Sequence, residues 1–314
     1  MELWSYCART PMAQACDHMA DQPDPDDKPV AYIERTRAWY AALGFAEPFR
    51  WASFADVPLT PLRKPLNGSR IALVTTAALG RSTGKGYAAS AKFASLYSSE
   101  TARSPELRND HVAIDFAHAA GDDTGRFLPL ARMREAVADG RLGGVTERFH
   151  GLPTNRSERM TAAVDAPELL ARCHADGADA AILVPNCPVC HQCCAIAART
   201  LEAAGIPSVI IGSAKDVIEH IGVPRFLFVD FPLGNSAGKP GDPRSQRRIF
   251  EQALRVLESA TEPRSTVKSP ERWSDDLAWK RDYGAFAQLS PDELRQHRTA
   301  FDQQAAIARQ IFKR

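Results

Sequence analysis

The sequence predicts an α/β fold with a parallel, Rossmann-like sheet in two lobes, which enclose a cleft at the carboxyl ends of the strands. Two observations support this prediction. Short, continuous apolar runs are bounded by turn residues, as strands buried on both faces are. Stretches of helical length separate the last three of these runs, which makes a βαβαβ series. The predicted strands occupy residues 71–75, 180–184, 207–211 and 225–230.

The chain before the first strand divides into three parts. Residues 1–28 end in an acidic stretch broken by proline that has little to bury, so we expect them to be poorly ordered. A helical pattern then begins near Tyr32 and ends at Gly44, and a proline-rich connector spans residues 49–67. The first α/β lobe is therefore predicted to cover residues 29–155.

The second α/β lobe is predicted to cover residues 156–260 and to carry a Cys-x2-Cys-x2-Cys-Cys motif. Its helices are expected at residues 191–204 and 213–221, because Gly205 and Gly222 follow them as residues that end helices. Right-handed crossovers would place these helices on the faces of the sheet and gather the functional residues at the carboxyl ends of the strands.

The last segment, residues 261–314, is rich in charge and is predicted to be helical. It contains two tryptophans, Trp273 and Trp279, in an otherwise polar stretch. Large aromatic side chains bury much area, so we expect both to dock this segment onto the lobes.

Four of the seven cysteines lie in one eight-residue stretch, at the corner between the second predicted strand and the following helix. Pro188 suits the first helical turn, which makes Cys187 the N-cap and places Cys190 in the first turn, facing it. A helix N-terminus lowers the pKa of a thiol, because free N–H groups and the helix dipole favour negative charge. The pair could therefore form a thiolate nucleophile and close a disulfide.

The neighbouring residues allow more than one interpretation. His191 could stabilise a thiolate beside it, although one residue from Cys190 its side chain need not face the sulfur. Cys193 and Cys194 could be packing residues deeper in the helix. Alternatively, Cys187, Cys190, Cys193 and Cys194 could together hold a metal or metalloid, although the chain has no Cys-x2-Cys pair outside this stretch.

Polar residues follow several predicted strands at their carboxyl ends, where α/β proteins place their ligands. A further pair, Asp110 and His111, could supply an oriented acid or base. The candidate substrate-binding residues are therefore Thr75, Thr76, Asp110, His111, Asn186, Asp230, Gly234 and Asn235.

Composition narrows the class of partner. Of the residues, 44% are hydrophobic and 25% are charged, with a net charge of +1 and scattered Lys and Arg, so neither nucleic acid nor a membrane is expected as a partner. A glycine-rich stretch, residues 80–86, lacks the spacing of a phosphate-binding loop. With no secretory signal pattern at the start, we expect a cytoplasmic protein that acts on a small molecule.

The chain resembles a known family, the selenoprotein B subunits of glycine, sarcosine, betaine and D-proline reductases. The resemblance spans residues 70–245, and the redox motif of that family, selenocysteine-x2-Cys-x2-Cys, is matched here with cysteine at its first position. The matching segments are Ile71-Ala-Leu-Val-Thr-Thr-Ala, Asp110-His111, Phe127-Leu-Pro-Leu-Ala-Arg-Met-Arg-Glu-Ala-Val, Gly143-Gly-Val-Thr-Glu-Arg-Phe-His-Gly, Asp176-Gly-Ala-Asp-Ala-Ala-Ile-Leu-Val-Pro-Asn-Cys-Pro-Val-Cys-His-Gln-Cys and Phe228-Val-Asp-Phe-Pro-Leu-Gly-Asn.

The resemblance implies an oxidoreductase that cleaves a C–N or similar bond reductively in a small amine or amino-acid-like substrate. Cys187 would replace selenocysteine as the nucleophile and Cys190 would be the resolving thiol, with Cys193 at the third position of the motif. The implied co-reactants are a dithiol reductant or thioredoxin-like donor and a pyruvoyl group on a partner subunit. A homo-oligomer is also compatible with it.

Overall fold

The computed structural model describes residues 27–80, 96–103, 105–109, 111, 118, 122–282 and 289–311. The N-terminal extension, expected at residues 1–28, lies outside the described residues except for its last two positions. Most of the glycine-rich stretch and Asp110 also lie outside them. Among the described residues, no helix is both long and apolar enough to cross a bilayer.

An eight-stranded sheet forms the centre of the fold, with the order β10-β9-β8-β7-β1-β6-β3 and with β5 paired beside β1. All of its pairings are parallel except that of β3 with β6. A second sheet pairs β2 with β4. The strands are β1 (Arg70–Thr75), β2 (Ala78–Leu79), β3 (Tyr97–Glu100), β4 (Leu107–Arg108), β5 (Gly144–Val145), β6 (Arg148–Gly151), β7 (Ala180–Val184), β8 (Ser208–Gly212), β9 (Arg225–Phe228) and β10 (Ser265–Lys268).

Helices cover both faces of this sheet. The described α-helices of five residues or more are α1 (Tyr32–Ala42), α2 (Leu130–Ala138), α3 (Ala166–Ala175), α4 (Pro188–Ala203), α5 (Lys215–Ile221), α6 (Pro243–Ser259), α7 (Ala278–Asp282) and α8 (Pro291–Ile311). A helical turn at Glu158–Met160 and a π-helical turn at Thr161–Asp165 lead into α3. Short 3₁₀ turns lie at Leu66–Gly68 and Thr124–Arg126.

The predicted parallel α/β fold is confirmed. Side chains along β1 alternate between the two faces of the sheet, and each face packs against its own set of helices. Ala72 and Val74 pack into the core that contains α3, α4 and α5, whereas Ile71 and Leu73 pack into the core that contains α2 and α6. Side chains of a strand alternate between faces, so each buried strand contributes to both cores. The four cysteines of the motif lie in the first of these cores.

The predicted strands all occur, with small shifts at their ends. The last of them ends at Phe228, two residues early, because the chain turns where the Phe231 amide donates to the carbonyl of Val229. The helices α1 and α5 end before Gly44 and Gly222 as predicted, and both glycines have positive φ angles, 74° and 84°.

The prediction of a helical C-terminal segment is wrong at residues 265–268, which form β10. This strand adds to the sheet in parallel beside β9, and its short run Ser-Thr-Val-Lys is half-exposed, as an edge strand can be. The predicted docking of Trp279 is confirmed, since it is buried in the first core, and Trp273 packs partly against both cores.

The two predicted lobes contribute to one sheet, because β1 pairs along its length with β7. The described residues do not show a cleft between separate lobes. Arg225 also joins the two halves: it forms a buried ion pair with Glu202 of its own half at 2.7 Å and donates to the carbonyl of Thr60, in the connector, at 2.8 Å. Both charged side chains are almost fully buried.

Replacing Arg225 by leucine should lower the free energy of unfolding by about 3–5 kcal/mol, because it leaves the Glu202 carboxylate buried without its cation. Urea unfolding measures the loss. The matched control is Arg247→Ala, which breaks the exposed pair with Glu135 and should cost no more than about 1 kcal/mol. Equal losses in the two variants would contradict the assigned role of the buried pair.

Candidate active site

The carboxyl ends of β1, β6 and β7 meet at one edge of the sheet, since these three strands are neighbours and parallel. Each strand is followed there by a polar residue with a buried side chain. Thr76 follows β1, Thr154 follows β6, and Asn186 follows β7, directly before the cysteine motif. The fold thus brings to one place three segments that are far apart in sequence.

Cys187 is the N-cap of α4, as predicted. Its extended backbone (φ −127°, ψ 169°) turns the sulfur onto the first helical turn, where it accepts a hydrogen bond from the Cys190 amide at 3.3 Å. Pro188 begins the helix without needing a donor. This geometry places the two Sγ atoms 2.7 Å apart, with both thiols free. A disulfide needs about 2.05 Å, so a small movement would close one.

The Cys190 sulfur accepts hydrogen bonds that favour its ionised form. Burial opposes its ionisation, but hydrogen bonds from Cys187, His111 and the Thr154 hydroxyl, which is 3.0 Å from the sulfur, together hold the pKa of Cys190 well below the ordinary thiol range. Hydrogen bonds to a charged form stabilise it. These donors favour negative charge on the Cys190 sulfur.

The pKa of Cys187 is shifted in the opposite direction. Burial raises the pKa of the Cys187 thiol, and the hydrogen bond and negative charge shared with Cys190 raise it further, against the opposing effects of the Cys190 amide and of Arg156. Two sulfurs this close titrate as a coupled pair, in which the neighbours favour negative charge on Cys190 rather than on Cys187. Cys187 also keeps a small exposed fraction, 5%, whereas Cys190 has none.

A chain of hydrogen bonds crosses the strand ends to reach this pair. His111 is buried, with Nδ1 3.1 Å from Oδ1 of Asn109 and Nε2 3.4 Å from the Thr154 hydroxyl. Asn109 donates to Oδ1 of Asn186 at 3.1 Å, and Asn186 donates from its side chain to the Thr76 hydroxyl at 2.9 Å. The network fixes the orientation of the imidazole at the thiolate.

Three other predicted site residues, Thr75, Gly234 and Asn235, form hydrogen bonds next to this network. The carbonyl of Gly234 accepts from Asn109 at 3.4 Å and from Arg126 at 3.0 Å, and Arg126 also donates to Asn235 at 3.4 Å. Thr75 donates to the carbonyl of Phe127 at 3.1 Å. These contacts tie the loop after β9 and the 3₁₀ turn before α2 to the site.

His191 does not face the thiols, because both of its ring nitrogens are engaged by backbone. Nε2 accepts from the amides of Ser213 and Ala214 at 3.0 and 3.1 Å, so the proton sits on Nδ1, which donates to the carbonyl of Cys187 at 2.7 Å. Burial lowers the pKa of His191 to about 4. The residue joins the start of α4 to the start of α5.

Asp230 is not brought to the cysteines by its hydrogen bonds. Its carboxylate accepts from Lys280 at 2.6 Å, and Lys280 also binds Asp27. Burial raises the pKa of Asp230, with Lys280 opposing. The other predicted acid of the site, Asp110, lies outside the described residues.

Cys193 and Cys194 are fully buried on the same helix. Burial raises the pKa of Cys193 to about 12 and that of Cys194 well above the ordinary range. Cys193 donates to the carbonyl of Asn155 at 3.4 Å. No group of three or more His, Cys, Asp or Glu side chains in the described ranges is placed to hold a metal ion, so the metal-binding alternative has no support there.

Sequence reasoning missed several contributors, namely Asn109, Thr154, Asn155, Arg126 and Arg156. Three of them, at residues 154–156, follow the short strand β6. Residues that follow a strand are candidates for a site, but the apolar-run criterion did not detect this strand. With only four residues and a polar start, β6 carries too little hydrophobic periodicity to be predicted.

The chain is similar to subunits of amino-acid reductases. It is 26% identical over 202 residues to the D-proline reductase subunit gamma of Acetoanaerobium sticklandii. That alignment covers 63% of this chain and 82% of that protein. It is 28% identical over 219 residues to the glycine reductase complex component B subunit gamma of Carboxydothermus hydrogenoformans, and this alignment covers 67% of this chain and 50% of that protein.

A third relative is the betaine reductase complex component B subunit beta of Peptoclostridium acidaminophilum, 27% identical over 128 residues, or 40% of this chain and 29% of that protein. The chain therefore spans half or less of the glycine and betaine reductase subunits that it matches. No protein-family model and no solved structure matches it. The family resemblance seen in the motifs is confirmed by these relatives.

Replacing Thr154 by valine should raise the pKa of Cys190, because the thiolate loses a hydroxyl donor while the volume of the side chain is kept. Titrating the ultraviolet absorbance of the thiolate should show the midpoint rise by about one pH unit. Thr200→Val on the same helix is the control, because that hydroxyl donates to Ile196 and should leave the midpoint unchanged. An unchanged midpoint in Thr154→Val would contradict the assigned hydrogen bond.

His191 should make the free energy of unfolding depend on pH. Its pKa is about 4 when folded and about 6.5 when unfolded, so its contribution is complete above pH ~6.5 and is lost as pH falls towards ~4. The stability gap between wild type and His191→Gln, from urea unfolding, should therefore shrink over that range. His220→Gln, at an exposed position, should show no such change. A constant gap for His191→Gln would refute the neutral buried imidazole.

Proposed function

We propose that this homologue of D-proline and glycine reductase subunits is the thiol-bearing component of a reductase complex. Its dithiol, Cys187 and Cys190, would cleave a C–N or similar bond reductively in a small amine or amino-acid-like substrate. The observation that carries the proposal is the sulfur pair, 2.7 Å apart, at the N-terminus of α4. The names of the relatives support the reductase complex, and the site supports the thiol chemistry.

Cys187 is the proposed nucleophile, for two reasons. It matches the selenocysteine position of the motif, and it has the only exposed surface of the pair. Its proton would pass to the neighbouring Cys190 as it attacks, since Cys190 is the closest base. Attack by Cys187 forms a bond from sulfur to the substrate carbon and breaks the C–N bond, and the amine leaves with a proton.

Cys190 then resolves the adduct. It has passed the proton to the leaving amine, and as a thiolate that accepts hydrogen bonds from His111 and Thr154 it attacks the Cys187 sulfur. The S–S bond forms as the S–C bond breaks, and the carbon leaves with the bonding electrons and takes a proton. The substrate carbon gains two electrons, the two thiols lose them, and an external dithiol must reduce the disulfide for the next cycle.

Cysteine in place of selenocysteine makes the surroundings of the sulfur matter more. A thiolate is a weaker nucleophile and leaving group than a selenolate, so the donors around Cys190 keep the negative charge available at neutral pH. By resemblance, the partner subunit would supply a pyruvoyl carbonyl that activates the amine. Asn109, Asn186 and Thr76 would position the substrate at the strand ends.

Cys190→Ser should trap an adduct on Cys187, because the resolving thiol is missing and the attacking one remains. The reduced protein, isolated with its partner subunits, is incubated with D-proline, glycine, sarcosine or betaine, and intact mass reports the adduct. Turnover should be lost in Cys187→Ser and in Cys190→Ser. Cys173→Ser is the control, because that buried thiol belongs to α3 and lies outside the cysteine motif. Full turnover in both single variants of the pair would refute the proposal.

A further inference from the structure

A pocket of about 240 Å³ lies where β9 and β10 end. Two residues of its wall mark this place: Lys268 is the last residue of β10, and Asp230 comes two positions after the end of β9. These strands are parallel to β7, which the cysteine motif follows, and β8 lies between β7 and β9. The pocket is therefore a second place at the edge of the sheet where parallel α/β folds bind their ligands.

Two carboxylates of the wall can accept hydrogen bonds from a ligand. Lys280 donates to Oδ1 of Asp27 and to Oδ2 of Asp230, both at 2.6 Å, so each carboxylate engages it through one oxygen. The other oxygen of each is available to a cation. Glu271, the third carboxylate of the wall, is instead paired with Arg248 at 2.7 Å. The side of the pocket that carries Asp27 and Asp230 therefore suits an ammonium group.

Four donors of the same wall have no acceptor among the described residues. Trp279 is only 5% exposed, and its indole N–H has no hydrogen-bond partner there, a cost that an oxygen atom of a ligand would remove. Ser269 is buried, and its oxygen accepts from the Glu271 amide at 3.2 Å, which leaves the hydroxyl hydrogen to be donated. Lys268 and Arg272 are exposed cations that form no ion pair in the described ranges. These donors suit a carboxylate.

The pocket also has aromatic walls, supplied by Trp273 and Trp279. The half-buried Trp273 ring packs edge-to-face on Phe231 at 5.4 Å and on His118 at 6.0 Å, so its position is fixed by the core. Indole rings give apolar contact to a small ligand and attract a cation. The volume equals that of about eight water molecules, which admits a small amino acid and excludes a nucleotide.

We propose that this pocket is a second binding site, and that it takes a small free amino acid. The ammonium group of the ligand would bind the two carboxylates, its carboxylate would bind the donors, and its side chain would lie against the indoles. An ion of one sign would pair with only part of this wall, whereas a zwitterion pairs with both parts at once. The inference goes beyond the proposed function, because the proposed reaction uses none of these residues.

Calorimetric titration of the full-length protein with D- and L-proline, two compact zwitterions, tests the site. Cyclopentanecarboxylate lacks the amine and pyrrolidine lacks the carboxylate, so each should bind at least about tenfold more weakly than proline. Lys268→Gln, Asp27→Asn and Trp279→Phe each remove one proposed contact and should weaken proline binding about fivefold. Lys215→Gln on α5 is the matched control, because this lysine pairs with Glu219 outside the pocket and should leave the affinity unchanged.

Cys187→Ser separates this site from the dithiol. Unchanged proline binding in that variant supports a second site, whereas binding lost there but unchanged in Lys268→Gln and Asp27→Asn would place proline at the cysteines and overturn the inference alone. Equal binding of proline and both analogues, or no binding at millimolar concentration, would also overturn it. Full turnover in both cysteine variants, with proline binding intact, refutes only the proposed function. If Trp279→Phe does not fold, the exposed Lys268→Gln carries the test, and an unchanged affinity there counts against the site.

Discussion

The hydrogen bond from the Cys190 amide to the Cys187 sulfur is the contact on which the site depends. An N-cap side chain accepts from the second or third residue of its helix, so capping by a cysteine brings its sulfur over the first turn. When the third residue is also a cysteine, the two sulfurs meet. One local geometry thus starts α4 and brings the two sulfurs together, and Pro188 between the two cysteines suits the first helical turn.

That pair is almost completely buried, and burial alone would keep both thiols protonated. The fold offsets this cost with donors from other strands. Thr154 and His111 act on Cys190, and Asn109 orients the imidazole. None of these residues is near the motif in sequence. The parallel sheet brings Thr154 to the motif because β6 and β7 flank β1 and end at the same edge, whereas Asn109 and His111 follow β4 of the second sheet.

The comparison with reductase subunits and the geometry of the site address different questions. The relatives at 26% and 28% identity are a D-proline reductase subunit and a subunit of a glycine reductase complex. The geometry indicates how cysteine can work at the position that the family motif gives to selenocysteine. Cys187 has exposed surface, whereas the hydrogen bonds to Cys190 favour negative charge on that sulfur. The opposite pKa shifts of the two thiols thus follow from their different neighbours.

The sequence by itself determined the parallel strands and the capping of α4, because apolar runs and Cys-Pro-x-Cys spacing are local patterns. It also identified His111 and Asn186, which follow strands or stand in motifs. Only the tertiary structure decided that His191 turns to backbone, that Asp230 pairs with Lys280, and that Thr154 and Asn155 contact the cysteines. The physical reason is that orientation and pairing depend on contacts between distant segments, on which local periodicity carries no information.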